Sequence, residues 1–255
     1  MTEPENAAAE MERPRKVFLS ADWRDLVMLN YKVEPALLLP HVPRGTSLDS
    51  FNGKTYVSLV AFRFLRTRLL GKISVPFHAN FSEVNLRFYV RRNQGDGKDC
   101  RRRGVVFIAE VVPRRAIAAA ARLAYNENYR FAPMRYHVDL DGTGRKIEFQ
   151  WQFSGQWCRL SARTEGLPAH AAEGTLQQFI TEHYWGYSAQ PSGASVEYHV
   201  SHQPWEVWSC TTAGFEGHAS ALYGDELAAV LLRSLDSAFV AEGSPVTVFR
   251  GERIL

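Results

Sequence analysis

The sequence predicts a mainly β domain of the α+β kind, an antiparallel sheet or barrel with only a few helices. Three observations carry this. Runs rich in β-branched and aromatic residues recur along the chain, turn signals separate them at short spacing, and helical patterns are few.

In chain order, 24–33 (RDLVMLNYKV), 54–63 (KTYVSLVAFR), 81–91 and 104–111 read as strands. The pair 136–141 and 145–153 flanks Asp-Gly-Thr-Gly, a strong hairpin turn. Segments 157–163, 196–200, 205–210 and 246–250 complete the set. Helix is expected for one turn at 35–39, closed by Pro40, and for 113–126, where Pro113 precedes an alanine-rich body. Two shorter candidates are 175–184 and 224–233. Residues 1–16 read as a disordered leader, and 17–255, with no linker or repeat, as a single domain.

Composition narrows the functional classes. The chain has 255 residues, 45% hydrophobic and 22% charged, the balance of an ordinary globular protein. No apolar run approaches the ~18 residues of a membrane span, so no membrane partner is expected. Cys100, Cys158 and Cys210 are odd in number and far apart, which argues for a reducing, cytoplasmic setting. Residues 1–130 hold 22 Lys/Arg against 13 Asp/Glu, and residues 131–255 hold 8 against 14. This opposition, together with exposed strand edges, allows a homo-oligomer. Arg91, Arg92, Lys98, Arg101, Arg102 and Arg103 crowd a Gly-Asp-Gly turn, where charge keeps strand edges soluble. No nucleic-acid partner is expected from them.

The stretch 81–91 is the most informative. Phe81, Glu83, Asn85, Arg87 and Tyr89 share one face, and Ser82, Val84, Leu86, Phe88 and Val90 the other. Three polar groups bracketed by rings fit a cavity wall, with Arg87 holding an anion and Glu83 acting as general acid or base. A solvated Glu–Arg ladder is the alternative, worth well under ~1 kcal/mol. Tyr125, Asn126 and Glu127 end the alanine-rich helix, where Asn commonly acts as a stop signal. His183, among the aromatic residues of EHYWGY, is either a hydrogen-bonded core residue or a ligand contact. His199 and His202 have no Cys or carboxylate at metal-ligand spacing, so no metal is expected. Trp205 and Trp208, three apart, fall on opposite faces of a strict strand. No nucleophile elbow, phosphate loop or Cys–His pair is present, and no cofactor is expected.

The order of motifs resembles the YqjF-like family of bacterial proteins of unknown function, within the acetoacetate decarboxylase-like superfamily. The carriers are LSADWRDLVMLNYKVEPALLLPHVPRGTSLD, NGKTYVSLVAF, PFHANFSEVNLRFYV, RRGVVFIAEVVPRRAIAAAARLAYNE and EHYWGY, which span nearly the whole chain after residue 16. The likeness to the YqjF-like family is close; that to the decarboxylases is remote. The resemblance implies an antiparallel β-barrel or cone with outer helices and a central cavity. It matches Arg24 in DWRDL to an arginine of the decarboxylases and Glu83 to a functional glutamate. It also puts Glu127 and Asn128 where those enzymes carry two lysines, the first forming a Schiff base, and Asn126 where they carry a proline.

An iminium needs a primary amine of depressed pKa, which neither a carboxylate nor an amide supplies. Lys16, Lys32, Lys54, Lys72, Lys98 and Lys146 lie in the leader, at strand ends or at turns. The expectation is a cavity that binds a small anionic or carbonyl-bearing molecule without Schiff-base chemistry. Glu83 and Glu127 are the candidate catalytic pair for a lyase, isomerase or hydrolase reaction. Arg24, Asn85, Arg87, Tyr125, Asn126 and His183 are the candidate ligand contacts. A non-catalytic interaction module, its cavity filled by its own side chains, is the alternative.

Overall fold

The computed structural model describes residues 15–74, 76–93, 101–142, 144–233 and 235–254. Its first strands are β1 (Val17–Val33), β2 (Ser47–Leu48), β3 (Thr55–Leu69), β4 (Ile73–Ser74), β5 (Phe81–Asn93) and β6 (Arg101–Val112). Then come β7 (Tyr129–Phe131), β8 (Met134–Asp141), β9 (Gly144–Phe153), β10 (Gln156–Thr164) and β11 (Ala169–His170). The last are β12 (Trp185–Ala189), β13 (Ser195–His202), β14 (Glu206–Glu216), β15 (Ser237–Ala241), β16 (Pro245–Phe249) and β17 (Glu252–Arg253). Helices are short: α1 (Pro35–Leu38), α2 (Arg115–Tyr125), α3 (Leu176–Thr181), α4 (Ser220–Tyr223) and α5 (Asp225–Leu231). None of them is long and apolar enough to cross a membrane.

Every predicted strand overlaps an observed one, so the mainly β reading stands. Of the predicted leader, residues 1–14 lie outside the described residues, as does Lys98 of the basic turn. Pro113 falls before the first turn of α2 rather than in it, because Arg114 takes the extended N-cap conformation.

Among the described residues seven strands close a barrel, in the order β1, β3, β5, β6, β12, β13, β16 and back to β1. All these pairings are antiparallel except β6 with β12. The amino-terminal half of β1 pairs with β16, and its second half with β15. From β15 a second sheet continues through β14, β10, β9 and β8.

The second sheet exists because the barrel is apolar outside as well as inside. Val27, Leu29, Leu59, Val84, Leu86 and Phe88 are fully buried on the outer face, in one cluster with Ile147, Phe149, Trp151 and Leu160. Each such side chain removed from water contributes roughly 2 kcal/mol. Leu26, Met28, Val60, Phe62, Phe81 and Tyr89 form a separate cluster within the barrel. β5 is therefore buried on both faces from Glu83 to Val90, which rules out the solvated Glu–Arg ladder. Trp208 joins the outer cluster and Trp205 the inner one, on opposite faces as the spacing predicted.

Besides five strands of two or three residues, two longer strands escaped the sequence reading. β12 (WGYSA) contains Gly186, which weakens a strand signal. The glycine is needed there, since a Cβ would lie 2.0 Å from Cζ of Tyr198 on the neighbouring strand. β15 (SAFVA) is alanine-rich, and its extended state is imposed by pairing to β1 and β14 on either side.

A ligand cavity with a buried carboxyl cluster

The barrel encloses a cavity of ≈ 320 Å³. One end is open: Leu69, His78 and Ile117 are half-buried there and Ala116 is exposed, and all four line the cavity. At the other end Tyr89 packs against Phe179 and His183, with ring centroids 5.2 and 4.7 Å apart.

The odd face of β5 runs down this cavity. Phe81 stacks on Phe64 near the open end, with centroids 4.6 Å apart. Glu83, Asn85 and Arg87 follow, all buried and all lining the cavity. Asn85 Nδ2 donates to Glu83 Oε1 at 3.0 Å, and the Tyr129 hydroxyl donates to Oε2 at 3.3 Å.

Glu127 reaches the cavity through the end of α2. Asn126 adopts the left-handed conformation, φ 55°, and caps the helix on the Arg122 carbonyl. The Arg122 guanidinium holds the Tyr129 carbonyl, with Nε at 2.7 Å, and so fixes the returning chain. Glu127 is thereby turned into the barrel, where Tyr198 donates to its Oε1 at 2.5 Å.

A third carboxyl, Glu110 of β6, stands opposite Asn85 and is 1% exposed. Its electrostatic partners are Glu127, Glu83 and Tyr129. Burial pushes all three carboxyls well above the usual carboxylate range; their mutual repulsion adds to this for Glu83 and Glu110. Tyr129 is likewise pushed up, by burial and by the three neighbouring carboxylates. The cluster is thus a store of shared protons near neutral pH, an arrangement suited to proton transfer.

Arg87 presents the opposite charge. Its Nη2 donates to the Ile180 carbonyl at 3.1 Å and touches Met28 Sδ at 3.8 Å. Its Nε has no partner, and no carboxylate lies within ion-pair distance of it among the described residues. His183 is held neutral, lowered to about 4 by burial and by the charges of Arg103 and Arg87. Its Nε2 lies 3.9 Å from Asp49 Oδ2, too far for a hydrogen bond. Neither ring nitrogen has a hydrogen-bond partner.

The sequence-predicted residues therefore divide. Glu83, Asn85, Arg87, Glu127 and His183 are brought together on one cavity. Arg24 is not: it donates to the Gly243 carbonyl at 3.1 Å, outside the cavity lining. It shares parity with Leu26 and Met28, which do face inward, but Asp25 (φ 56°) bulges and breaks the alternation. Trp23 lines the cavity in its place. Asn126 is exposed and donates to the Ala189 carbonyl, as a cap rather than a wall residue. The side chain of Tyr125 lies outside the described residues.

Sequence reasoning missed Glu110, Tyr129 and Tyr198. Glu110 had left a signal, a lone carboxylate inside the apolar run GVVFIAEVV, where burial of an unpaired charge demands an explanation. Three arginines around the basic turn find partners within the chain. Arg92 and Arg102 both engage Glu197, and Arg103 engages Asp49 at 2.7 Å. No group of three or more metal-ligating side chains occurs among the described residues.

A family model described as DUF2071, an uncharacterized conserved protein, matches residues 20–245. The uncharacterized protein YqjF of Bacillus subtilis is 26% identical over 187 residues, covering 72% of this chain and 72% of its own. Acetoacetate decarboxylase from Legionella pneumophila superposes with a TM-score of 0.66 at 12% identity, over 100% of this chain and 96% of that one. The enduracididine biosynthesis enzyme MppR complexed with pyruvate gives 0.64 at 13% identity, over 95% and 91% of the two chains. The shared fold is that of acetoacetate decarboxylase.

Proposed function

Since the chain belongs to the DUF2071 family and has the acetoacetate decarboxylase-like fold, we propose that it binds a small anionic or carbonyl-bearing molecule inside the barrel. The carrying observation is Arg87, a guanidinium buried in the cavity with an unpartnered Nε and no counter-charge within ion-pair distance among the described residues. Leaving such a charge unpaired costs several kcal/mol, much of which an anion beside it offsets. MppR, with the same fold, holds pyruvate, which suits this reading.

The chemistry supported is proton transfer. With a carboxylate or carbonyl polarised by Arg87, Glu83 and Glu127 hold protons within the same cavity, and their raised pKa values suit donation or abstraction near neutral pH. Glu110, which interacts with both, is a further acidic group. That describes a lyase, isomerase or hydrolase working through carboxyl groups. Among the described residues every lysine is exposed and none lines the cavity, which speaks against Schiff-base chemistry there.

Thermal-shift measurements with short carboxylates and 2-oxo acids test this reading. At a hundred times Kd a true ligand stabilises by about 2.7 kcal/mol, roughly 5–10 °C for a chain of this size. Wild type is expected to respond, and Arg87→Met, which keeps the apolar stem, to lose the response. An equal response from both proteins, or none from wild type, would overturn the anion site.

A further inference from the structure

Buried side-chain atoms without a hydrogen-bond partner line the cavity at Trp23 Nε1, Thr67 Oγ1, Asn85 Oδ1, Arg87 Nε, Glu110 Oε2 and both ring nitrogens of His183. Beside the carboxyl cluster they are Asn85 Oδ1, an acceptor, and Glu110 Oε2, an acceptor once Glu110 gives up its proton, on residues 2% and 1% exposed. Four residues along β5 from Glu83, the unpartnered atom is a donor, Nε of Arg87, on a residue 8% exposed. A plain carboxylate or 2-oxo acid satisfies the donor but offers only acceptors to the other end. A buried acceptor left without a donor is unfavourable, and here two converge on one place.

We propose that the cavity takes a zwitterion, an amino carboxylate whose carboxylate lies on Arg87 and whose ammonium lies among Glu83, Asn85, Glu110 and Glu127. The proposal rests on the reading of Arg87 as the anion partner given above, and adds the identity of the opposite end. An ammonium brings three donors and a positive charge, and its hydrogen bonds to carboxylates are of the strong, charge-assisted kind. The two ends of the site are set by the strand. Cα atoms of Glu83 and Arg87 are roughly 13 Å apart at strand rise, and both residues line the cavity. A molecule with a few methylenes between its charges spans what remains, and Val60 and Phe62, which line the cavity opposite Asn85 and Glu83, accommodate those methylenes. A metal ion is a poorer occupant, since no metal-ligating group of three or more residues is found among the described residues.

The test is a matched panel by isothermal titration calorimetry: β-alanine, 4-aminobutyrate, 5-aminopentanoate and 6-aminohexanoate against propionate, butyrate, pentanoate and hexanoate. The expected result is at least a tenfold preference for one amino acid over its unsubstituted partner. That preference should shrink to less than threefold in Glu110→Gln. If unsubstituted acids bind wild type as well as the amino acids do, the zwitterion is wrong while the anion site at Arg87 stands. If neither series binds, both readings fail. Asn85→Ser, which removes the other orphan acceptor without altering a carboxyl group, is a second variant. It too is expected to erode the preference, and an unchanged preference in both variants would overturn the proposal.

Discussion

Glu110→Gln is expected to flatten the dependence of stability on pH and to make the protein more stable than wild type above pH 8. The sign follows from linkage. Burial raises the carboxyl cluster above its unfolded-state values, Glu127 to about 7 and Glu83 to about 8, and Glu110 is raised with them. The folded state therefore holds more protons than the unfolded state across the window between those values. Stability from the cluster is full below the unfolded carboxyl range and is lost as pH rises through about 7 to 8. A tenfold difference in proton affinity between the folded and unfolded states corresponds to about 1.4 kcal/mol, so the loss between pH 5 and pH 9 is on the order of 3 kcal/mol for Glu127 and 4 kcal/mol for Glu83.

Glutamine at 110 keeps the neutral shape and removes one of the three negative charges that would otherwise accumulate. The groups facing it are Glu83, Glu127, Asn85 and Tyr129, and none of these supplies a positive charge to compensate. Thermal melts from pH 5 to pH 9 check this. Curves for the two proteins that converge or cross on the alkaline side fit the cluster; parallel curves contradict it.

Gly243→Ala is expected to destabilise the protein by roughly 3 kcal/mol or more, among the larger effects a single substitution produces. Gly243 lies where β1 leaves β16 and takes up β15, between the barrel and the second sheet. Its φ is +85°, and a Cβ would lie 2.0 Å from the Trp23 carbonyl oxygen, a backbone atom that no side-chain rotation can move. Arg24 grips the Gly243 carbonyl from the opposing strand, and the Trp23 amide donates to the Ser244 carbonyl at 3.0 Å. The branch point also positions Trp23, which lines the cavity. Gly142→Ala is the control: φ there is +61°, but a Cβ would meet nothing within 4 Å. It carries only the conformational cost, about 1 kcal/mol. Urea unfolding midpoints that fall equally for both would show that backbone strain alone, and not the close approach, matters at Gly243.

The legible part of the site was the part governed by strand alternation. On β5 the period of two placed Glu83, Asn85 and Arg87 together, and nothing in the fold disturbs that register from Phe81 to Leu86. Glu127 was found through the family resemblance, and its inward turn depends on the left-handed Asn126, whose stop signal was visible in the sequence. Arg24 was misplaced because the same alternation fails at a bulge, which the sequence does not announce. Glu110, Tyr129 and Tyr198 sit on other strands and meet Glu83 and Glu127 only once the barrel closes. β12 escaped because Gly186 must be small to let Tyr198 pass over it, so the residue that helps form the site also weakens the local signal.

Nuclear magnetic resonance of arginine Nε–H groups addresses the anion site most directly. Arg87 Nε is a buried donor without a partner, and its resonance is assigned as the one missing from Arg87→Met. Titration of wild type with short carboxylates and amino carboxylates is expected to shift that resonance downfield, saturably and ahead of any other arginine. A resonance that stays in place while carboxylates bind would put the ligand elsewhere and rule out Arg87 as the anion partner.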